Sequence, residues 1–216
     1  WLKYYYPVEY MAALMTSVID NPGKVAEYIY SCRQMGIKIL PPDINHGYSS
    51  FSVDNGSIRY GLAAIKSIGR PVIKEIVAER KANGEFKNLK DFIERMSGKD
   101  INKRTIENFI KSGAFDELGG TRKQFMVIYV QILDQVNREK KNSMTGQMSL
   151  FDIVGEEQKS EFDIPLPNVG EYEKSTKLAF EKEVLGIYLS GHPMEEYEEQ
   201  WRKGISKTTQ DFQFDE

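Results

Sequence analysis

Two short turns flanked by lysine and arginine are the parts of this chain best suited to chemistry. The first lies within Leu62-Ala-Ala-Ile65-Lys66-Ser67-Ile68-Gly69-Arg70-Pro71-Val72-Ile73-Lys74-Glu75-Ile76. Its layout is a helix, a tight small–hydrophobic–glycine turn and a second helix. The N–H groups of such a turn, and of the second helix's first residues, point outward without intrahelical partners, and the helix dipole favours an anion there. Glycine lets that anion approach without a Cβ in the way. Between Arg59 and Lys81 there are six Lys/Arg against two Glu, so the charge is right for phosphate. Lys66, Ser67, Gly69, Arg70 and Lys74 are the candidates. Contacts of this kind grip a nucleic-acid backbone and carry no sequence information. An ordinary corner of two helices with a solvated basic face is the other reading of these residues.

The second turn ends Ile101-Asn-Lys-Arg-Thr-Ile-Glu-Asn-Phe-Ile110-Lys111-Ser112-Gly113-Ala114-Phe115-Asp116. Ile106, Phe109 and Ile110 form an apolar stripe that belongs to a core, leaving Lys103, Arg104 and Lys111 on the remaining surface. Ser112-Gly113 then makes a second hairpin of similar kind, and two hairpins in one unit can hold phosphates on both strands of a duplex. A third feature is Gly146-Gln147-Met148-Ser149-Leu150-Phe151, set in a polar stretch. An apolar Leu-Phe pair there is sheltered by nothing nearby, so a partner's pocket accounts for it. Burying each side chain yields roughly 1.5–3 kcal/mol. Folding back onto this chain's own helices is the alternative.

Other chemistries find no support. Two-metal polymerases and nucleases need convergent carboxylates, whereas Asp43, Asp116 and Asp152 are scattered. Asp43, in Pro41-Pro42-Asp43-Ile44-Asn45, reads as a turn or helix cap. His46 and His192 are far apart, and His192 in Ser190-Gly191-His192-Pro193 reads as a turn residue. The acidic run Glu195, Glu196, Glu198, Glu199 reads as a solvated face. No metal ligand set and no catalytic residue is assigned.

The elements that must position these turns follow from periodicity and punctuation. Pro7 to Val18 and Pro22 to Met35 read as helices, the second opened by Asn21-Pro22 and stopped by Gly36. Ile37 to Leu40 reads as a short strand. Asp54-Asn55-Gly56-Ser57, between Phe51–Val53 and Ile58–Tyr60, is a hairpin turn, because Asn-Gly supplies positive φ. From Leu62 to Phe125 short helices alternate with glycine breaks and must pack on each other to bury any apolar face. A longer helix runs from Arg122 to about Lys140. Lys141 to Gly170 reads as a linker, Leu178 to Leu189 as a helix, and Glu195 to Arg202 as a short acidic helix.

Composition fits a globular protein with a real core: 40% of the 216 residues are hydrophobic and 28% charged, at a net charge of −3. Cys32 is the only cysteine, which excludes a disulfide framework and suits a reducing, cytoplasmic setting. No apolar run reaches the roughly 20 residues of a membrane span. The start at Trp1, without Met, suggests a fragment.

Taken in order, these segments resemble the DnaE-type α subunits of bacterial DNA polymerase III, the C-family replicative polymerases. Tyr6-Pro7-Val-Glu9-Tyr-Met-Ala-Ala-Leu14 looks like the end of that family's fingers domain. Cys32-Arg-Gln-Met-Gly-Ile-Lys-Ile-Leu-Pro-Pro-Asp-Ile-Asn45 and Ile58-Arg-Tyr-Gly-Leu62 follow its pattern. Asn102-Lys-Arg and Ser112-Gly-Ala-Phe-Asp116 resemble its helix-hairpin-helix region. Gln147-Met-Ser-Leu-Phe151 looks like its sliding-clamp pentapeptide. Glu181-Lys-Glu-Val-Leu-Gly186 and Leu189-Ser-Gly-His-Pro193 are similar to the stretch before its OB domain. The internal position of the pentapeptide favours the DnaE over the PolC type. Ser67 stands where the first hairpin commonly has glycine, so a less close hold on phosphate is expected there. Met148 occupies a slot where other aliphatic or small residues occur, with little consequence expected.

The resemblance implies a mainly α fragment: a tandem helix-hairpin-helix domain with a small β-hairpin and a flexible C-terminal linker. The expected divisions are 1–50, the end of the fingers; 51–142, the helix-hairpin-helix domain; 143–170, the linker with the clamp peptide; and 171–216, a helical segment leading to an OB domain. The expected partners are double-stranded primer–template DNA, the β sliding clamp and other replisome subunits, with no membrane. Lys66, Ser67, Gly69, Arg70, Lys74, Lys103, Arg104, Lys111 and Gly113 would hold DNA, and Gln147, Met148, Ser149, Leu150 and Phe151 the clamp. No cofactor is expected in this fragment; magnesium and deoxynucleotides would belong to a palm domain preceding Trp1. A stand-alone helix-hairpin-helix DNA-binding adaptor and a structural scaffold are the rival readings.

Overall fold

The computed structural model describes residues 1–144, 164–197 and 203–205. The fold is mainly α, with one small sheet, as expected. Helix α1 (Leu2–Tyr5) leads into α2 (Pro7–Ser17), and α3 (Pro22–Gln34) follows. Pro22 suits the first turn of α3, where its missing N–H has no intrahelical partner to lose. Asn21 caps it, its side-chain oxygen accepting from the Lys24 N–H at 3.1 Å. Met11, Ala12 and Met15 of α2 and Val25, Ile29 and Cys32 of α3 recur at helical spacing and are buried.

The sheet has the order β1-β3-β2, from β1 (Ile39–Leu40), β2 (Ser52–Asp54) and β3 (Ser57–Arg59). Strands β2 and β3 form the expected antiparallel hairpin, with Asn55 and Gly56 both at positive φ. β1 lies parallel to β3, Ile39 opposite Ile58.

The expected helix beginning at Leu62 is a correction: only a 3₁₀ turn, Leu62–Ala64, forms there. The cause is tertiary. Gly61 lies so close to the backbone of Ser49–Phe51 that a Cβ would sit 2.8–2.9 Å from it. The Lys66 N–H, which an α-helix would return to the Leu62 carbonyl, donates instead to the Val184 carbonyl at 2.9 Å. Ile65, at ψ 127°, leaves in extended conformation.

Beyond it run α4 (Arg70–Asn83), α5 (Leu89–Arg95), α6 (Lys103–Ser112), α7 (Arg122–Met144) and α8 (Lys174–Leu185). Asn88 and Asn102 cap α5 and α6, each accepting a backbone N–H at 2.9 Å. Phe92 gathers Phe86, Phe109 and Phe115 around it at ring-centroid distances of 5.0, 6.1 and 4.9 Å. One apolar cluster runs from Met11 to Leu189, so the described parts of all four expected divisions share a core.

Of the expected linker of 143–170, only residues 143–144 and 164–170 are among those described. α7 continues to Met144, and Ile164 packs on the apolar core. The Gln124 side chain donates to the Pro167 carbonyl at 2.9 Å, and Thr121 Oγ1 to that of Gly170 at 2.6 Å. α8 starts four residues earlier than expected and ends before Gly186, and Pro193–Tyr197 is a 3₁₀ turn. Among the described residues no helix is long and apolar enough to cross a membrane.

Candidate nucleic-acid interface

The first turn forms ahead of α4 without the helix expected before it, and it is held by contacts that the sequence did not reveal. Ile68 is 7% exposed and plugs the turn into the core. That leaves Lys66, Ser67, Gly69 and Arg70 on the surface, with Lys74 one turn along α4. Lys66 is bolted from both sides. Its N–H donates to the Val184 carbonyl at the end of α8, at 2.9 Å, and its carbonyl accepts from Asn108 Nδ2 of α6, at 2.8 Å.

The N–H groups of Ser67, Gly69 and Arg70 meet no acceptor among the described residues. They lie at the start of α4, where the dipole is positive. Ser67 adopts φ +63°, so a side-chain-bearing residue occupies a left-handed position that glycine takes without strain. Arg70 reaches Asp20 at 3.2 Å, but both side chains are more than half exposed, and such a pair opens at little cost. Lys66 and Lys74 meet no carboxylate among the described residues.

The second turn differs, and two expected contacts are corrected. Gly113 is buried and caps α6 in the left-handed conformation, φ +84°. A Cβ there would collide with the Arg122 guanidinium, so the space above the glycine is filled by this chain itself. Arg122 is 5% exposed. It donates to both Asp116 oxygens, from Nε at 3.0 Å and Nη2 at 2.8 Å, and to the Lys111 carbonyl at 3.2 Å. Buried Glu181 lies 3.6 Å from it. Burial opposes the charge on Arg122, yet Asp116 and Glu181 more than compensate and hold its pKa above the ordinary value.

The Gly113, Ala114 and Asp116 N–H groups all donate internally. Lys111 is likewise occupied: its ammonium lies 2.8 Å from both Glu107 and Glu183 and over the Phe180 ring at 5.5 Å. Those carboxylates raise its pKa despite burial. Gly113 and Lys111 thus serve an internal ion network because burial brought carboxylates to them.

Lys103 and Arg104 are exposed in the first turn of α6 and part company by helical register. Lys103 faces Asp134 of α7 at 3.4 Å. Arg104 shares a face with Asn108, one turn and about 6 Å along the axis. It therefore stands beside the residue that holds Lys66, and it meets no carboxylate among the described residues. The cluster is Lys66, Ser67, Gly69, Arg70, Lys74 and Arg104.

Sequence reasoning missed Asn108, Val184, Arg122 and Glu181. A signal existed for Arg122: a cation in a helix's first turn opposes the dipole and implies a tertiary acid. Asp43 is the cap it was expected to be. It is 3% exposed, and its Oδ1 accepts from the Asn45 and His46 N–H groups at 2.8 and 2.6 Å. Gln147, Met148, Ser149, Leu150 and Phe151 lie outside the described residues. Among the described residues no three His, Cys, Asp or Glu side chains are grouped to hold a metal.

Residues 36–125, which contain both turns, match the helix-hairpin-helix motif family. The chain is 39% identical over 194 residues to DNA polymerase III subunit alpha of Mycobacterium leprae, covering 90% of this chain. This chain is homologous to a segment of DNA polymerase III subunit alpha. The α subunit of Vibrio cholerae is 40% identical over 198 residues, and that of Escherichia coli K12 39%, each covering 91% of this chain. The matches span 16–17% of those relatives, so the chain corresponds to about a sixth of a DNA polymerase III α subunit.

Proposed function

We propose that this α-subunit segment grips duplex DNA through its first hairpin and tethers the polymerase to a ring-shaped clamp through Gln147 to Phe151. The observation that carries the DNA reading is the turn Lys66–Gly69. It is fixed from two sides, with three exposed residues whose N–H groups meet no acceptor among the described residues, and with Lys66, Arg70, Lys74 and Arg104 around it. Preorganised donors need no ordering when a phosphate arrives, so the cost of binding is low. Contacts to phosphate alone leave the segment indifferent to base sequence. Polymerisation itself, with its magnesium ions and deoxynucleotides, belongs in this reading to other parts of the full-length protein, acting in the cytoplasm with other replisome subunits.

Each grip is weak, and joining them makes rebinding intramolecular, at effective concentrations of about millimolar for short linkers. The decisive experiment is fluorescence anisotropy with two duplexes of unrelated sequence between 50 and 200 mM salt. Four cations on phosphate imply a log–log slope of about −3.6, or a loss of roughly 100-fold over that range. A flat response would exclude phosphate gripping. For the tether, Leu150→Ala with Phe151→Ala removes clamp binding by calorimetry and leaves duplex binding unchanged. Equal loss of both activities would refute the division of labour.

A further inference from the structure

A second cationic site lies away from the hairpin turns. It is an open cleft of about 190 Å³ between α3 and the C-terminal end of α8 with the residues after it, lined by Tyr30, Arg33, Lys182, Tyr188 and His192 over an apolar floor that includes Ile29. Arg33 Nη2 donates to the carbonyls of Leu189 and Tyr188, at 3.0 and 3.5 Å. Lys182 Nζ donates to the Gly186 carbonyl at 3.0 Å and stands 5.3 Å from the centre of the Tyr188 ring. Both cationic heads are therefore held in place by neutral backbone acceptors.

Neither head meets a carboxylate among the described residues, unlike Arg59, Arg95, Lys99, Lys111 and Arg122. Neither Glu27 nor Glu195 lines the cleft: Glu27 pairs with Lys24 at 2.9 Å, and Glu195 pairs with Lys174 at 2.7 Å and accepts from the His192 N–H at 2.8 Å. Tyr30 is 59% exposed, and Tyr188 is half-buried, with the His192 ring edge-on at 5.7 Å.

We propose that this cleft takes a nucleotide unit of single-stranded nucleic acid, its base against Tyr30 or Tyr188 and its phosphate on Arg33 and Lys182. Cations that meet no carboxylate among the described residues favour an anion, and the adjoining rings favour a planar one; base–aromatic stacking with cationic support is how single strands are held without sequence preference. An acidic peptide would satisfy the charges and leave the rings unused. Position favours a strand as well. Val184, whose carbonyl anchors the first turn, lies two residues from both Lys182 and Gly186, so the cleft and the first turn adjoin the same end of α8. Arg33 and Lys182 also sit near helix C-termini, where cations are favourable without any ligand.

The test uses the whole chain and a fluorescent oligothymidylate of about 12 nucleotides, a length within usual single-strand site sizes. Tyr30→Ala and Lys182→Gln each weaken it by 5-fold or more and leave a blunt duplex unaffected. Arg70→Gln does the reverse. Ultraviolet cross-linking of a 5-iododeoxyuridine strand marks the peptides containing Tyr30 or Tyr188. Unchanged oligothymidylate binding in both cleft variants overturns the proposal, even if their melting temperatures fall, since that pattern is helix capping alone. Displacement of the strand by an oligoglutamate as effective as unlabelled oligothymidylate overturns it in favour of a peptide site.

Discussion

Arg122→Met cuts the network beneath the second turn and leaves a chain of similar side-chain volume. The guanidinium is 5% exposed, and its loss strands Glu181, 2% exposed, and Asp116. Breaking a buried ion pair from one side costs about 3–5 kcal/mol. The lower figure applies here for two reasons. Glu181 keeps the Leu189 and Ser190 N–H groups, each at 2.9 Å, and the Asp116 side chain is 39% exposed and can be hydrated. At roughly 2–4 °C per kcal/mol for a chain of this size, the melting temperature falls by about 6–12 °C. Adding Glu181→Gln removes the stranded charge and recovers about 1 kcal/mol or more, so the double variant melts above the single one. Thermal denaturation followed by circular dichroism reads both effects. A shift under about 2 °C, or a double variant less stable than Arg122→Met alone, would refute the network.

Ser67→Gly relieves a left-handed residue, worth about 1–2 kcal/mol, against a greater loss of unfolded-chain freedom of about 0.4–1 kcal/mol. Denaturant titration should show a gain of roughly 0.5–1 kcal/mol, and a loss would mean that the turn does not hold φ +63°. The Glu79 carboxyl is drawn down to about 2 by Lys99 first, with Asn83 and Arg95 assisting. Since its folded pKa is below the ordinary 4.5, its contribution is complete above that pH and disappears as pH falls through about 2. Glu79→Gln therefore flattens the melting profile between pH 5 and 2, and an unaltered profile would contradict the assignment. Cys32 is fully buried, and burial pushes its thiol up to about 11. It should resist a disulfide reagent at pH 8 until denaturant is added; prompt labelling of the native protein would show that α3 opens.

Legibility in the sequence follows the range of the forces involved. Asn21-Pro22, Asn55-Gly56, the Asp43 cap and the stripe Ile106, Phe109, Ile110 were all readable, because caps, turns and helical periodicity act within a few residues. Of the first turn only the buried Ile68 and the start of α4 at Arg70 were readable, and the helix expected before it was not. Family likeness extended along most of the chain because it rests on many such segments in order.

Tertiary structure decided the rest, and always through partners distant in sequence. The helix expected from Leu62 stops after one turn because Ile65 turns extended and the Lys66 N–H, which would have closed onto the Leu62 carbonyl, goes to Val184. Lys111 looked like a surface cation until Glu183, 72 residues away, met it. Gly113 looked like a phosphate cradle until Arg122 filled the space a Cβ would need. Arg33 and Lys182 sat in unremarked helices until folding brought them to one cleft beside two tyrosines. The sequence alone determined which residues could turn, cap and carry charge. Which charges stay free for a ligand was settled only when the fold chose their neighbours, because an ion pair depends on distance in space and not along the chain.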